Sequence, residues 1–269
     1  MSVVTKLNHG LGNKLFKLIH SLIVGEQYRR KVYIYNHISK HEQDEKYAIE
    51  EYFPNIKRAI NQISEEEYIS YENKYPYLMD EEICFAKISS DIVLTKGYMM
   101  IKYYLLNQEW RKWILNMFKT SKPIETIKTI KTPSIGIHIR VGDYLNYDGK
   151  NKMFPLYHPN YYLDIIKKYP NHTIYFFTDT GEKFIKNNII PKIKNKYNFI
   201  KGSAIDDLLL LSKCDILILS ASTFSFWAAY LNNGNVYCPK YFLMIKLQLE
   251  NWTIIDTDTY PLDAHKLYY

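Results

Sequence analysis

The sequence is short of glycine, of cysteine and of long apolar runs, and each shortage narrows the reading. Ten glycines among 269 residues leave few sharp backbone corners, so a strand-to-helix corner built from small hydroxyl residues, SASTFSFWAAYLN at Ser220–Asn232, needs a reason. Cys84, Cys214 and Cys238 are too few and too scattered for a disulfide framework, and no CxxC pair suggests structural zinc, which points to a reducing compartment. No window reaches the length of a membrane span, and the opening MSVVTKLNHGLGNKLF lacks the charged lead and apolar run of a secretion signal. The expectation is a soluble, unsecreted protein in which the NHT at Asn171 and the NWT at Asn251 match the glycosylation pattern by chance.

Charge is present with an excess of one sign. Lys and Arg number 35 against 28 Asp and Glu, a formal charge of +7. The lysines are strung through stretches such as KPIETIKTIKTP and PKIKNKY, as on solvated faces, so no nucleic-acid partner is expected. A modest positive field equally suits an anionic small substrate or a membrane surface. Tyrosine, at 26, combines a flat apolar face with a hydroxyl, a useful pair for holding sugars, although Lys, Asn, Ile and Tyr rising together also follow from AT-rich codons.

Hydrophobic periodicity organises the chain as α/β. SVVTKL reads as a strand, GLGNKLFKLIHSLIVGEQYRR as an amphipathic helix with Leu11, Leu15, Leu18 or Ile19, and Leu22 on one face, and KVYIYN as the next strand, with Gly10 and Gly12 at the first turn. From Glu42 to Tyr104 the signal weakens to small helices and loops, with GYMMIKYYL as a strand near the end. NQEWRKWILNMFKT is a helix, and SKPIETIKTIKTP a linker bounded by Pro123 and Pro133. Beyond it SIGIHI, TIYFFT, DILILS and NVYC read as apolar strands separated by the helices HPNYYLDIIKKY, GEKFIKNN, AIDDLLLLSK and STFSFWAAYLN, the pattern of a parallel sheet covered on both faces. Two Rossmann-like halves facing a cleft are expected, residues 1–130 and 131–269.

In parallel sheets ligands bind outside the carboxyl ends of the strands. That singles out HIRVGDY after SIGI, TDTGE after TIYFF and SASTFS after DILIL, so that Arg140, Asp143, Asp179 and several hydroxyls converge on one edge. Ser222, Thr223 and Ser225 open a helix, where unpaired N–H groups and the helix dipole favour a phosphate; ordinary capping by Ser222 satisfies the same pattern. Arg140 follows a central strand, and its fixed fork suits a diphosphate, while pairing with Asp143 or Asp179 would be its structural use. His138, taken by itself, reads as a core histidine. Asp256 and Asp258 have the Asp-x-Asp spacing of a metal site on a nucleotide diphosphate, but such pairs are common in surface turns, so no metal or other cofactor is expected.

HIRVGDY resembles the His-x-Arg-Arg-x-Asp-Tyr signature of α-1,2-fucosyltransferases, and related motifs of α-1,6- and protein O-fucosyltransferases. NHGLGNKLFKL is similar to the Gly-Gly-Leu-Gly-Asn-Gln-Leu-Phe-Gln opening of the α-1,2 family, and SASTFSFWAAYLN, preceded by DDLLLLSKCD, to its Asn-Ser-Thr-Phe-Ser-Trp-Trp-Ala-Ala-Trp-Leu block. These blocks fall in both halves; the stretch from about 40 to 125 shows no comparable match. The resemblance implies a GT-B fold and an inverting, metal-independent transferase that moves L-fucose from GDP-β-L-fucose to the 2-hydroxyl of a galactoside or similar glycan. The acceptor would lie on the 1–130 side and the GDP-sugar on the 131–269 side. Residue by residue, it implies Arg140 on the β-phosphate, His138 near the guanine, Asp207 reading the guanine N–H groups, Ser222 and Thr223 on the diphosphate and Asn13 near the transferred sugar. Asp143 is the candidate general base, and Trp110 or Trp113 a stacking surface for the acceptor.

Among the departures of this sequence from that pattern, Val141 stands at the second arginine, Lys14 at the first glutamine of the opening block and Ala221 at the asparagine before the Ser-Thr pair. Two alternatives therefore stay open, a transferase using another nucleotide-deoxysugar and a non-catalytic glycan- or nucleic-acid-binding protein on a transferase scaffold. The setting expected is cytoplasmic, of bacterial or viral type, with room for loose peripheral contact with membranes.

Overall fold

The computed structural model describes residues 1–37, 49–75, 77–78, 91–95, 102–120, 130–147, 154–240, 249–260 and 264–268. The chain divides into two compact units, Met1–Pro123 and Ile124–Tyr269. Among the described residues no helix is long and apolar enough to cross a membrane.

In the first unit β1 (Ser2–Leu7), α1 (Leu11–Gln27) and β2 (Lys31–Asn36) make a parallel β-α-β opening. There follow α2 (Ile49–Tyr52), α3 (Pro54–Ala59), β3 (Ile60–Gln62), α4 (Glu65–Glu72), β4 (Tyr77–Leu78), β5 (Ile92–Thr95), α5 (Lys102–Leu106) and α6 (Gln108–Met117). The strands lie in the order β3-β2-β1-β5-β4, all parallel. Leu11, Leu15, Leu18, Ile19 and Leu22 recur at helical spacing and are buried, which fixes the inner face of α1. The left-handed corner before α1 is taken by His9, at φ 67, and not by Gly10, which sits at φ −59 as the residue preceding the helix.

The described part of one expected strand is a helix. Within GYMMIKYYL, residues 97–101 lie outside the described residues, and the remainder falls in α5, Lys102–Leu106. The aromatic residues suggested a strand, but Tyr104 meets Trp110 of α6 edge-on at 5.1 Å, and Asn107 caps α6 by accepting from the N–H groups of Glu109 and Trp110. Helix-on-helix packing overrides the weak strand preference of the segment.

The second unit contains β6 (Ser134–Ile139), α7 (Pro159–Ile166), β7 (Thr173–Thr178), α8 (Glu182–Asn188), β8 (Tyr197–Ile200), α9 (Ala204–Leu211), β9 (Ile216–Ile218), α10 (Thr223–Tyr230), β10 (Asn235–Pro239) and β11 (Trp252–Ile255). Its sheet runs β11-β10-β9-β6-β7-β8, again all parallel. Every residue of β6 is buried. A side chain at Gly136 would collide with Leu211 and Cys214, so this glycine lets α9 lie close on the central strand. The chain winds from β6 toward one edge through β7 and β8, then crosses back to β9 and the other edge. The carboxyl ends of β6 and β9 therefore flank a topological switch point, where open α/β sheets bind ligands. β8 and β11 lie at the two edges with mostly exposed faces, which is why YNFI and WTII carried no clear strand signal.

Cys214 and Cys238 are free and buried. Burial and the neighbouring Asp215 push the Cys214 thiol up to about 12, so it stays protonated. Cys84 lies outside the described residues.

Candidate functional site

Arg140 emerges from β6 at the switch point. Its Nη1 meets Asp179 Oδ2 at 2.8 Å and its Nη2 meets Asp143 Oδ1 at 2.5 Å. The two aspartates are held differently. Asp179, on the turn after β7, accepts the N–H groups of Val141 at 2.9 Å and Thr180 at 2.8 Å through its other oxygen. Asp143 lies in the short 3-10 turn Gly142–Asn146 with 57% of its side chain exposed. Burial works against the guanidinium charge, but Asp179 and then Asp143 outweigh it and raise its pKa, so Arg140 stays a cation.

Gly142 makes this closeness achievable. Its φ is +22, and a Cβ there would collide with Asp179 Oδ2 and lie 3.7 Å from Arg140 Cζ. The ends of β6 and β7 are laced together around it: Thr178 Oγ1 donates to Ile139 O at 2.7 Å and accepts from Gly181 N–H at 2.8 Å, and Gly142 N–H donates to Thr180 Oγ1 at 3.0 Å.

His138 is buried, its Nδ1 is 2.7 Å from Ser220 Oγ, and its ring tilts over Phe224 with centroids 5.0 Å apart. Burial and, after it, the Arg140 charge lower its pKa to about 3, so the imidazole is neutral at physiological pH. Tyr144 donates its hydroxyl to Ala221 O at 2.6 Å and places its ring 5.6 Å from Arg140 Cζ. Burial, opposed by Arg140, pushes this phenol up to about 12, which keeps the donor hydrogen in place.

The hydroxyls of the corner divide their work. Ser222 is the N-cap of α10, its Oγ accepting the Phe224 N–H at 3.2 Å. Ser225 is fully buried and its Oγ bonds to Ser220 O at 2.9 Å and Ser222 O at 3.0 Å, fastening the strand end to the first helical turn. Thr223 is partly exposed in that turn. At the β8 edge of the sheet, three strands from β9, Ser203 caps α9 by accepting from Asp206 N–H at 3.2 Å, and Asp207 follows, partly exposed, with its Oδ1 close above Gly202. His138, Arg140, Asp143, Asp179, Asp207, Ser222 and Thr223 thus share the carboxyl edge of one sheet. Tyr144, Ser220, Phe224 and Gly142 belong with them and were not singled out from sequence, although all four lie inside the HIRVGDY and SASTFS stretches.

Asn13 belongs to the first unit, partly exposed in the first turn of α1, with its N–H on Gly10 O at 2.9 Å. Beside it Lys14 is fully buried and donates to Asn36 Oδ1 at 3.1 Å and His37 O at 2.9 Å, tying α1 to the end of β2. Trp110 and Trp113 meet edge-on at 5.3 Å and are both partly exposed. Asp256 and Asp258 share one cation: Lys240 Nζ lies 3.3 Å from Asp256 Oδ1 and 2.8 Å from Asp258 Oδ2, in an exposed turn.

The profile of glycosyl transferase family 11 matches residues 55–242. Among characterised proteins, the alpha-1,2-colitosyltransferase of Escherichia coli is 33% identical over 109 residues, covering 38% of this chain and 37% of that protein. The galactoside alpha-(1,2)-fucosyltransferase 2 of Mus musculus is 28% identical over 148 residues, 49% and 43% of the two chains. The match thus spans less than half the length of either relative. Among solved structures, the fucosyltransferase NodZ from Bradyrhizobium aligns with a TM-score of 0.55 at 16% identity, over 86% of this chain and 92% of that one, and shares the two-lobed α/β fold with parallel sheets of GT-B glycosyltransferases. Every site residue described in the second unit falls inside the matched span, and the chain belongs to glycosyl transferase family 11.

Proposed function

We propose that this protein is a metal-independent, inverting glycosyltransferase that moves L-fucose from GDP-β-L-fucose to the 2-hydroxyl of a galactoside-like acceptor. The observation that carries this reading is Arg140, kept charged at the switch point by Asp179 and flanked by the corner that opens α10. As the sugar–oxygen bond breaks, negative charge grows on the β-phosphate, and a fixed cation with aligned helix N–H groups stabilises that charge more than it stabilises the bound donor. The acceptor hydroxyl attacks the opposite face of the sugar, the sugar–phosphate bond breaks to leave GDP, and the hydroxyl proton passes to solvent.

The other residues take roles their surroundings favour. Ser222 and Thr223 bind the diphosphate, while Ser225, fully buried, shapes the corner. Neutral His138 lies near the guanine and Asp207 accepts from its N–H groups. Asp143 is ion-paired to Arg140, so it is assigned to hold that side chain until the donor phosphate takes its place and not to deprotonate the acceptor. Asn13 is assigned to the transferred sugar, and Trp110 and Trp113 to stacking on the acceptor. The structurally similar NodZ has been soaked with GDP-fucose and co-crystallised with GDP, which supports a GDP-sugar donor.

A second reading keeps the site and changes the sugar. One relative is by name a colitosyltransferase, and Val141 stands where the fucosyltransferase signature has a second arginine, so a different deoxysugar on GDP is the alternative. Calorimetric titration with GDP in EDTA, repeated with UDP and with Arg140→Ala, tests the shared core of both readings. GDP binding that the variant loses supports it; binding of UDP instead, or of GDP only with an added divalent ion, overturns it. Transfer assays with GDP-fucose and GDP-colitose then separate the two sugars.

A further inference from the structure

All six strands of the second sheet are parallel, so the segments that lead into them share the rim opposite the candidate site. That rim is a lysine array. Lys131 leads into β6; Lys167 and Lys168 close α7 ahead of β7; Lys192, Lys194 and Lys196 lead into β8; Lys213 closes α9 ahead of β9. Every one of them is exposed. The segments are pinned together: Asn195 Nδ2 donates to Tyr169 O and His172 O at 2.9 Å each, Ile174 N–H to Lys196 O at 2.8 Å, and Lys131 N–H to Tyr175 OH at 2.9 Å. The nearby carboxylates are fewer. Asp164 is paired with Lys167, Asp215 accepts from Ser134, and Glu250 leads toward β11.

Distance separates this charge from the donor site. Six-residue strands such as β6 and β7 put about 20 Å between the two rims, more than twice the roughly 8 Å Debye length at physiological salt. The lysines therefore do little for a diphosphate at Arg140, whose own rim carries Asp143, Asp179, Asp206 and Asp207. Their chemistry is also different. Arg140 is the only arginine in residues 124–269, so the rim consists of hydrated point charges suited to diffuse attraction and not to bidentate recognition of single phosphates. Tyr197, the first residue of β8, is 44% exposed on the same rim, the kind of amphipathic ring that settles at lipid headgroups.

We propose that the amino-end rim of the second sheet is a docking surface for an anionic lipid bilayer. Docking there leaves the carboxyl edge with Arg140 turned away from the lipid. The inference does not rest on the donor or acceptor assigned above.

The test is co-sedimentation of the full chain with vesicles of phosphatidylglycerol and phosphatidylcholine, against phosphatidylcholine alone, at low and physiological salt. The triple variant Lys192→Glu, Lys194→Glu and Lys196→Glu is run beside it, with circular dichroism and urea unfolding as controls for folding. Binding to the anionic vesicles only, weakened by salt and reduced about 100-fold or more in the variant, supports the proposal. No difference between the two vesicle types, or equal binding by a correctly folded variant, overturns it. So does tight binding of a single-stranded oligonucleotide without vesicle binding, which would reassign the rim to nucleic acid.

Discussion

Tyr144 donates its phenolic hydrogen to the carbonyl oxygen of Ala221 across 2.6 Å, and so joins the turn after β6 to the corner before α10. The two stretches that carry the proposed phosphate contacts are thereby held as one body, with the same ring lying beside Arg140. Tyr144→Phe keeps the ring and leaves a buried carbonyl without its donor. The expected cost is about 1–2 kcal/mol of stability in urea unfolding, accompanied by weaker GDP binding in calorimetry. Unchanged GDP affinity would show that the corner keeps its shape without this bond.

Asp143 and a donor phosphate compete for the same guanidinium. Asp143 is more than half exposed, so the pair is worth at most about 1 kcal/mol after solvent screening. Asp143→Asn is expected to tighten GDP binding by up to about 5-fold and to leave kcat within a few-fold of the parent. A general base in this position would instead show a collapse of kcat with little change in GDP affinity.

Gly142→Ala tests the backbone beneath Arg140. The added methyl meets Asp179 Oδ2, and φ +22 is a strained value for alanine. Asp179 must move, Arg140 loses its fixed partner, and GDP affinity is expected to fall by roughly 10-fold or more, in line with a lost charge-assisted bond. Val141→Ala, in the same turn but without that clash, serves as the control.

His138 gives the fold a pH dependence of known sign. Its folded pKa of about 3 lies below the ordinary 6.5, so the unfolded chain binds the extra proton between these values. The neutral imidazole's contribution is complete above pH 6.5 and is lost as pH falls toward 3, by up to about 5 kcal/mol. Comparing urea midpoints of the parent and His138→Gln across this range isolates the term: the parent should weaken more steeply on acidification. In NMR, the His138 ring signals should not shift between pH 5.5 and 8, a window far above about 3.

Lys240 bridges Asp256 and Asp258 in an exposed turn. The double variant Asp256→Asn and Asp258→Asn is expected to leave GDP affinity unchanged, with or without magnesium. A magnesium-dependent loss would make this pair part of the donor site.

Much of this architecture was legible in the residues. Leu11 to Leu22 at helical spacing, the apolar runs SIGIHI and TIYFFT, and Pro159 just inside its helix each settle their local structure within one turn or one strand. The HIRVGDY and SASTFS stretches were legible for the same reason, because the rule that ligands gather at strand carboxyl ends needs only the strand boundaries. The edge strands β8 and β11 were not, since an edge exposed to water carries no continuous apolar run. The helix α5 was not, since its conformation follows from packing on α6.

Local sequence also left each polar side chain with several uses, and strand order chose among them. Ser222 and Ser225 look alike in SASTFS, but one faces the exposed helix start and the other is buried under it. Lys14 stands at a glutamine position of the family pattern, and only the approach of β2 explains how a lysine is buried there on Asn36 and His37. Arg140 could pair with either aspartate; the parallel pairing of β6 with β7 brings Asp179 to one side, while the turn brings Asp143 to the other. The sequence determined the elements because helix and strand periodicity are set by neighbours a few residues away. The tertiary structure decided the site and the lysine rim, because those depend on which strand ends become neighbours in space.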